Sequence, residues 1–265
     1  MPQLVHLSLR SYYHPMQSVI PAEEKEVTYT EFLPCEALRP FIYCYWELKS
    51  PPRNTPFFYR VVADGCIDLF FDCNAPQMSS LMGYCNTYVE IPIMGAFHYV
   101  GVRFLPSAFP LLFGQDAFEI SAQEIPLCEV VPVLATFIAQ QLEIPLSLAI
   151  IAQRLDNYFL RHLSQHSLQM DNRFFSALFQ ILQNKGRILI SELDTGISTR
   201  QLRLLFDYYI GDSPKTFSNI VRFQHILSAK AYHNHSFLDT YYDQPHFIKS
   251  FKTFYGDTPS KVFTE

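Results

Sequence analysis

Six short runs rich in Val, Ile, Tyr and Phe follow one another in the first half of the chain: VTYTEF at 27–32, FIYCYWEL at 41–48, FFYRVV at 57–62, CIDLFFD at 66–72, TYVEIPI at 87–93 and FHYVGVRF at 97–104. Turn residues separate them, and this pattern predicts strands. From about Val133 the period changes. Leu148, Ile151, Ala152, Leu155 and Phe159 recur at helical spacing, which predicts a helical connector ending near the Asn184–Lys185–Gly186 break. Beyond the break, Leu202, Phe206 and Tyr209, and later Phe247, Phe251 and Phe254, stand at i, i+4 and i+7. Each trio makes one apolar stripe on a short helix. Phe217, Ile220, Val221 and Leu227 form the stripe of a longer helix over 214–231.

Proline divides the chain at nearly the same place. Fifteen of the 18 prolines lie at or before Pro145, and proline is excluded from helix interiors and central strands. The expected fold is therefore an α+β N-terminal domain rich in short β-strands over 1–132, a helical connector over 133–183, and an all-α C-terminal domain over 184–265.

The C-terminal part contains an internal repeat. At an offset of 45 residues, Leu202 matches Phe247, Phe206 matches Phe251, Tyr209 matches Phe254, Gly211 matches Gly256, Asp212 matches Asp257, Ser213 matches Thr258 and Pro214 matches Pro259. Both copies follow one physical logic. Ser198 or Asp243 caps a helix, with capping-box spacing from Ser198 to Gln201. A left-handed glycine stops it, and a proline opens the next helix where its missing donor costs nothing. The outer faces carry Thr199, Arg200 and Arg203 in one copy and Gln244 and Lys249 in the other. Such side chains reach base edges and phosphates in the major groove, and two helices held about one DNA turn apart enter successive grooves.

These features resemble the DNA-binding module of AraC/XylS-type transcription regulators. The residues that carry the likeness lie within 187–263: IS-x-RQL-x-x-LF, G-x-SPKTF, VRFQHIL and YYDQPHFIKSFKTFYGDTPSKVF. The resemblance implies two helix-turn-helix units joined by the 214–231 helix. Upstream, LRPFIYCYW, VVADGCIDLFF and GVRFLPSAFPLLFG are similar to a sensor-type domain of unknown function found before such modules, with Ala63 where that domain often has proline. The chain departs from the regulator pattern at three places. Leu204 stands where an arginine is common, the segment Ser191–Asp194 is short, and only His235–Thr240 remains of the brace of the second unit, which reads as truncated.

The resemblance implies a sequence-specific transcription regulator whose partner is double-stranded DNA, controlled by a ligand or partner acting on the N-terminal domain. Thr199, Arg200, Arg203, Gln244 and Lys249 are the expected base-reading face, with Lys215, Arg222, Lys230 and Lys252 as phosphate contacts. It leaves room for a small-molecule effector, a homodimer and contact with RNA polymerase.

Charge modifies this picture only locally. The net charge is −5, divided as −7 up to Gln183 and +2 after it. Overall acidity argues against nucleic-acid binding through a diffuse field. The chain is 49% hydrophobic and 17% charged, which excludes dominant disorder. The strongest apolar stretch, Pro145–Ala152, is far below a membrane span, and MPQLVHLSLRSYYHP has no signal-peptide pattern. Six cysteines without a C-x-x-C pair point to buried thiols in a reducing cytoplasm. Neither a metal site nor a cofactor is expected, and the chain does not read as an enzyme. Two alternatives stay open: a ligand-binding or protein-interaction protein with a degenerate DNA module, and an enzyme using Asp64, Asp68, His98 or Cys66. A turn entering a strand accounts for the two aspartates, a satisfied core position for His98 and a buried thiol for Cys66. Phe41, Tyr43, Tyr45 and Trp46 read as core or as the wall of a pocket.

Overall fold

The computed structural model describes residues 9–142, 146–228 and 244–263. Its first half is built on strands β1 (Thr28–Phe32), β2 (Ile42–Ser50), β3 (Phe57–Val61), β4 (Ile67–Asp72), β5 (Ser80–Met82), β6 (Val89–Ile93), β7 (Phe97–Phe104) and β8 (Glu124–Pro126). Six of them form one antiparallel sheet in the order β1-β2-β7-β4-β5-β8, while β3 and β6 pair separately. All six runs expected from alternation are strands. The two added ones, β5 and β8, are three residues each, too short for a period of two to be legible.

Successive side chains on a strand face opposite ways, and both faces of the large sheet are covered. Tyr45, Leu69, Phe71, Val100, Val102 and Phe104 join the main core against helices. Cys44, Trp46, Leu48 and Phe97 face a second apolar cluster with Phe57 and Tyr59 of β3. The β3–β6 ribbon thus acts as a cover over the second face.

Helices follow: α1 (Ala108–Phe113), α2 (Ala117–Ile120), α3 (Leu127–Val130), α4 (Pro132–Gln141), α5 (Leu148–Gln165), α6 (Asn172–Gln183), α7 (Thr199–Ile210), α8 (Pro214–Ser228), α9 (Gln244–Tyr255) and α10 (Pro259–Val262). In α5, Ile151, Ala152, Leu155 and Phe159 are buried, as their spacing requires. Gln183 ends α6, and Lys185 and Gly186 take positive φ at 55° and 70°. A Cβ at Gly186 would stand 2.1 Å from the Ser218 carbonyl oxygen of α8, so glycine permits both the turn and the close crossing.

The region after Val130 is helical and the region before Ala108 is strand-rich, yet both share one continuous core running from Leu9 to Tyr255. Between α6 and α7 the only helical element is a 3-10 turn, Ile190–Glu192. The expected brace of the second unit, His235–Thr240, lies outside the described residues, as do Asp243, Lys230 and the end of the helix expected over 214–231.

Candidate functional site

The repeat is realised as two helices of equal length, α7 and α9, each 12 residues and offset by 45. The reciprocal capping box expected at Ser198 is present. Ser198 Oγ accepts from the Gln201 amide at 3.3 Å, and Gln201 Oε1 accepts from the Ser198 amide at 3.1 Å. Gly211 and Gly256 both sit past the helix ends with φ of 99° and 93°. Leu202, Phe206 and Tyr209 are buried, and so are Phe247, Phe251 and Phe254. Phe206 of α7 meets Phe217 of α8 at 6.0 Å between ring centroids, and Phe251 of α9 meets Phe223 of α8 at 5.4 Å. The long helix is therefore the common support of both copies.

The opposite faces are in solvent. Thr199, Arg200, Arg203, Lys215, Gln244, Lys249 and Lys252 are all exposed. Arg203 lies 3.8 Å from Asp207 one turn on, an exposed pair whose stabilisation is small. Burial lifts the Asp207 carboxyl above its usual range, with Arg203 opposing. Arg222 is placed differently. Its Nε and Nη2 donate to the Gly186 carbonyl at 3.2 and 2.6 Å, tying α8 to the end of α6. Leu204 is 60% exposed.

The C-terminal ends of both copies are pinned to the β-rich half. Ser121 Oγ donates to the Gly211 carbonyl at 2.8 Å. The Ala63 and Tyr88 amides donate to the Phe254 and Thr253 carbonyls, each at 3.1 Å. Asn86 donates to Asp212 at 3.0 Å. Buried Gln224 of α8 donates to the Ala63 and Met16 carbonyls at 2.9 and 3.1 Å and accepts from the Met16 amide at 2.7 Å. The helices thus present their amino-terminal outer faces and anchor their carboxyl ends.

The acidic pair in the first half does form a turn entering β4: Asp64 Oδ1 accepts from the Cys66 amide at 2.9 Å, and Gly65 has φ of 69°. It also does something the chain did not advertise. Strand register places Asp68 opposite Arg103. Arg103, 1% exposed, lies 2.9 Å from Asp68 and 3.5 Å from Asp64, with Glu31 at 3.8 Å. Burial raises both aspartates, Asp68 to about 6, while Arg103 opposes the rise. Burial disfavours the charged guanidinium too, yet Asp68, Tyr29 and Asp64 keep it firmly protonated. A lone arginine in the apolar run FHYVGVRF was the available signal, since a buried arginine requires a carboxylate partner.

His98 is elsewhere, its Nε2 2.8 Å from Glu47 Oε1. Burial pushes up the Cys66 thiol, so it is not a poised nucleophile. Among the described residues no three metal-ligating side chains gather, and no helix is long and apolar enough to cross a membrane. Of the aromatic run, Phe41 and Tyr45 lie in the core, Tyr43 is half-buried beneath Arg10, and Trp46 lines a cavity of about 240 Å³ between the large sheet and the β3–β6 ribbon.

Residues 30–126 match a family described as a domain of unknown function, DUF6597. That span contains all three segments singled out above for their likeness to such a domain. Among solved structures, ToxT from Vibrio cholerae O395 aligns over 91% of this chain and 98% of its own, at 10% identity and a TM-score of 0.31. No curated protein matches the chain.

Proposed function

We propose that this protein is a sequence-specific DNA-binding transcription regulator of the AraC/XylS type, with α7 and α9 as the reading helices and no catalytic role. The observation that carries the reading is the repeat. Two helices built from matched residues share stop glycines, buried stripes and a supporting helix, and each leaves a cationic or amide-bearing face open. Arg200 and Arg203 are the base-reading candidates on α7, with Gln244 and Lys249 on α9. Lys215 and Lys252 suit phosphates. Arg222, engaged with Gly186, suits the role of a strut that keeps α6 and α8 together.

The placement of the β-rich half supports its role as a sensor. The loops at 62–66 and 84–88 join the β3–β6 ribbon to the large sheet, and both touch the C-terminal helices through Ala63, Asn86 and Tyr88. A ligand that favours one ribbon position biases the helices only through such differential contacts.

A second reading has its own support. The 3-10 turn before α7 and the exposed Leu204 are what a decayed reading module would have, leaving a ligand- or protein-binding function. Binding to genomic DNA fragments across a salt series separates the two. The regulator reading expects fragment-selective binding that weakens steeply with salt. Absence of any selective, salt-sensitive binding favours the degenerate module instead.

A further inference from the structure

The cavity between the large sheet and the β3–β6 ribbon has a pronounced chemical bias. Its walls are aromatic and aliphatic, with Trp46, Tyr59, Phe70 and Tyr99 contributing rings. Among the described residues, the carboxyls on its lining are Asp68 and Glu124, and no lysine, arginine or histidine lines it. Asp68 belongs to a buried cluster in which one guanidinium faces Asp64 and Asp68 and, farther off, Glu31. Counted formally, one guanidinium stands there against three carboxyl groups, so the cavity wall is acidic in character.

The floor is built to be open. Register aligns Trp46, Gly101 and Phe70 across β2, β7 and β4. A Cβ at Gly101 would stand 2.2 Å from the Trp46 indole, so glycine lets the ring lie flat across the sheet, roughly parallel to Phe70 at 6.4 Å. Trp46 is 5% exposed, and its Nε1 has no hydrogen-bond partner among the described residues. A buried indole N–H without an acceptor is unusual and costly. An occupant that brings an acceptor atom satisfies it.

We propose that this cavity is the binding site for a small organic ammonium ion with an apolar body and one acceptor oxygen. The cation lies against Asp68 and the aromatic faces, where cation–π attraction adds to charge pairing. The acceptor oxygen takes the Trp46 N–H, and Glu124 stands at the rim. This inference rests on the reading of the β-rich half as a sensor, but its test needs no DNA. Failure here leaves the DNA reading intact, and failure of selective DNA binding leaves this site intact.

Trp46 is the single tryptophan of the chain, so its emission reports the site directly. The full-length protein is titrated with 2-phenylethylamine and L-phenylalaninamide, and with phenylacetate and 2-phenylethanol as anionic and neutral counterparts. The expected result is a saturable emission change with the two ammonium probes, tighter for the amide, and no saturation with phenylacetate. Asp68→Asn weakens the binding of the ammonium probes about tenfold or more. Because that change also disturbs Arg103, two surface variants serve as independent checks. Met94→Lys, at a lining position 62% exposed, and Glu124→Gln each weaken it about threefold. No saturable change with either ammonium probe, or equal binding of phenylacetate, overturns the proposal, as does full affinity in both surface variants.

Discussion

Arg103 is the residue on which the β-rich half is most exposed to a single change. It is buried with two aspartates around it, and among the described residues none of the three has another full-charge partner as close. Arg103→Leu strands both carboxylates and is expected to cost about 3–5 kcal/mol in urea unfolding; a loss below about 1 kcal/mol contradicts the placement. The cluster also sets a pH dependence. Burial pushes the Asp68 carboxyl from its ordinary 3.8 up to about 6 in the folded chain, so between these values the native state holds more protons than the unfolded one. Stability from the pair therefore rises as pH falls from 7 towards 5, and the rise shrinks in Asp68→Asn, which leaves only Asp64 raised by burial. Unfolding free energies at both pH values check this. Little of the cluster was legible in the chain. The two aspartates attract notice because they are near neighbours in sequence. Their arginine is 35 residues from Asp68 and reaches it only through strand register.

At the scale of elements, the most legible features were those with local causes. Caps, stop glycines and apolar stripes act within one or two turns, so α7 and α9 begin one residue after the expected cap positions, 198 and 243, and end one residue before Gly211 and Gly256. Helix α1 was missed for the opposite reason. It carries Pro110 and starts after Ser107 at φ of 70° with no side-chain cap, so its start has no local signal, although Gly114 at φ of 67° closes it. The 3-10 turn at Ile190–Glu192 shows where the short Ser191–Asp194 segment leaves no room for a full helix. The stop glycine offers a sharp test. A Cβ at Gly211 meets Ser121 Oγ at 2.2 Å and forces φ of 99° on an L side chain, so Gly211→Ala should destabilise by about 2 kcal/mol. Ser198→Ala, which removes only the exposed cap, should cost about 1 kcal/mol. Thermal unfolding of both variants checks the order, and Ser198→Ala as the worse of the two contradicts the role given to the glycine.

Across the whole molecule, the β-rich half and the helices behave as one body because they share a core and because Gln224, Ala63, Asn86 and Tyr88 bridge them. Composition gave the division into halves but not this union, since the residues that join them are single polar groups scattered among loops. Unfolding followed by Trp46 emission reports the first half, and far-ultraviolet circular dichroism reports mainly the second. The two curves should coincide, and separated midpoints would contradict a common core. The same docking gives the central functional claim its geometry. It fixes the carboxyl ends of α7 and α9 and leaves Thr199, Arg200, Arg203, Gln244 and Lys249 outward. The most direct measurement is genome-wide selection of bound fragments by the purified protein, repeated with Arg200→Ala combined with Arg203→Ala. A defined sequence preference in the wild type that vanishes in the double variant, leaving only weak salt-sensitive binding, is the predicted result. An unchanged preference in the double variant, or none in the wild type, contradicts it.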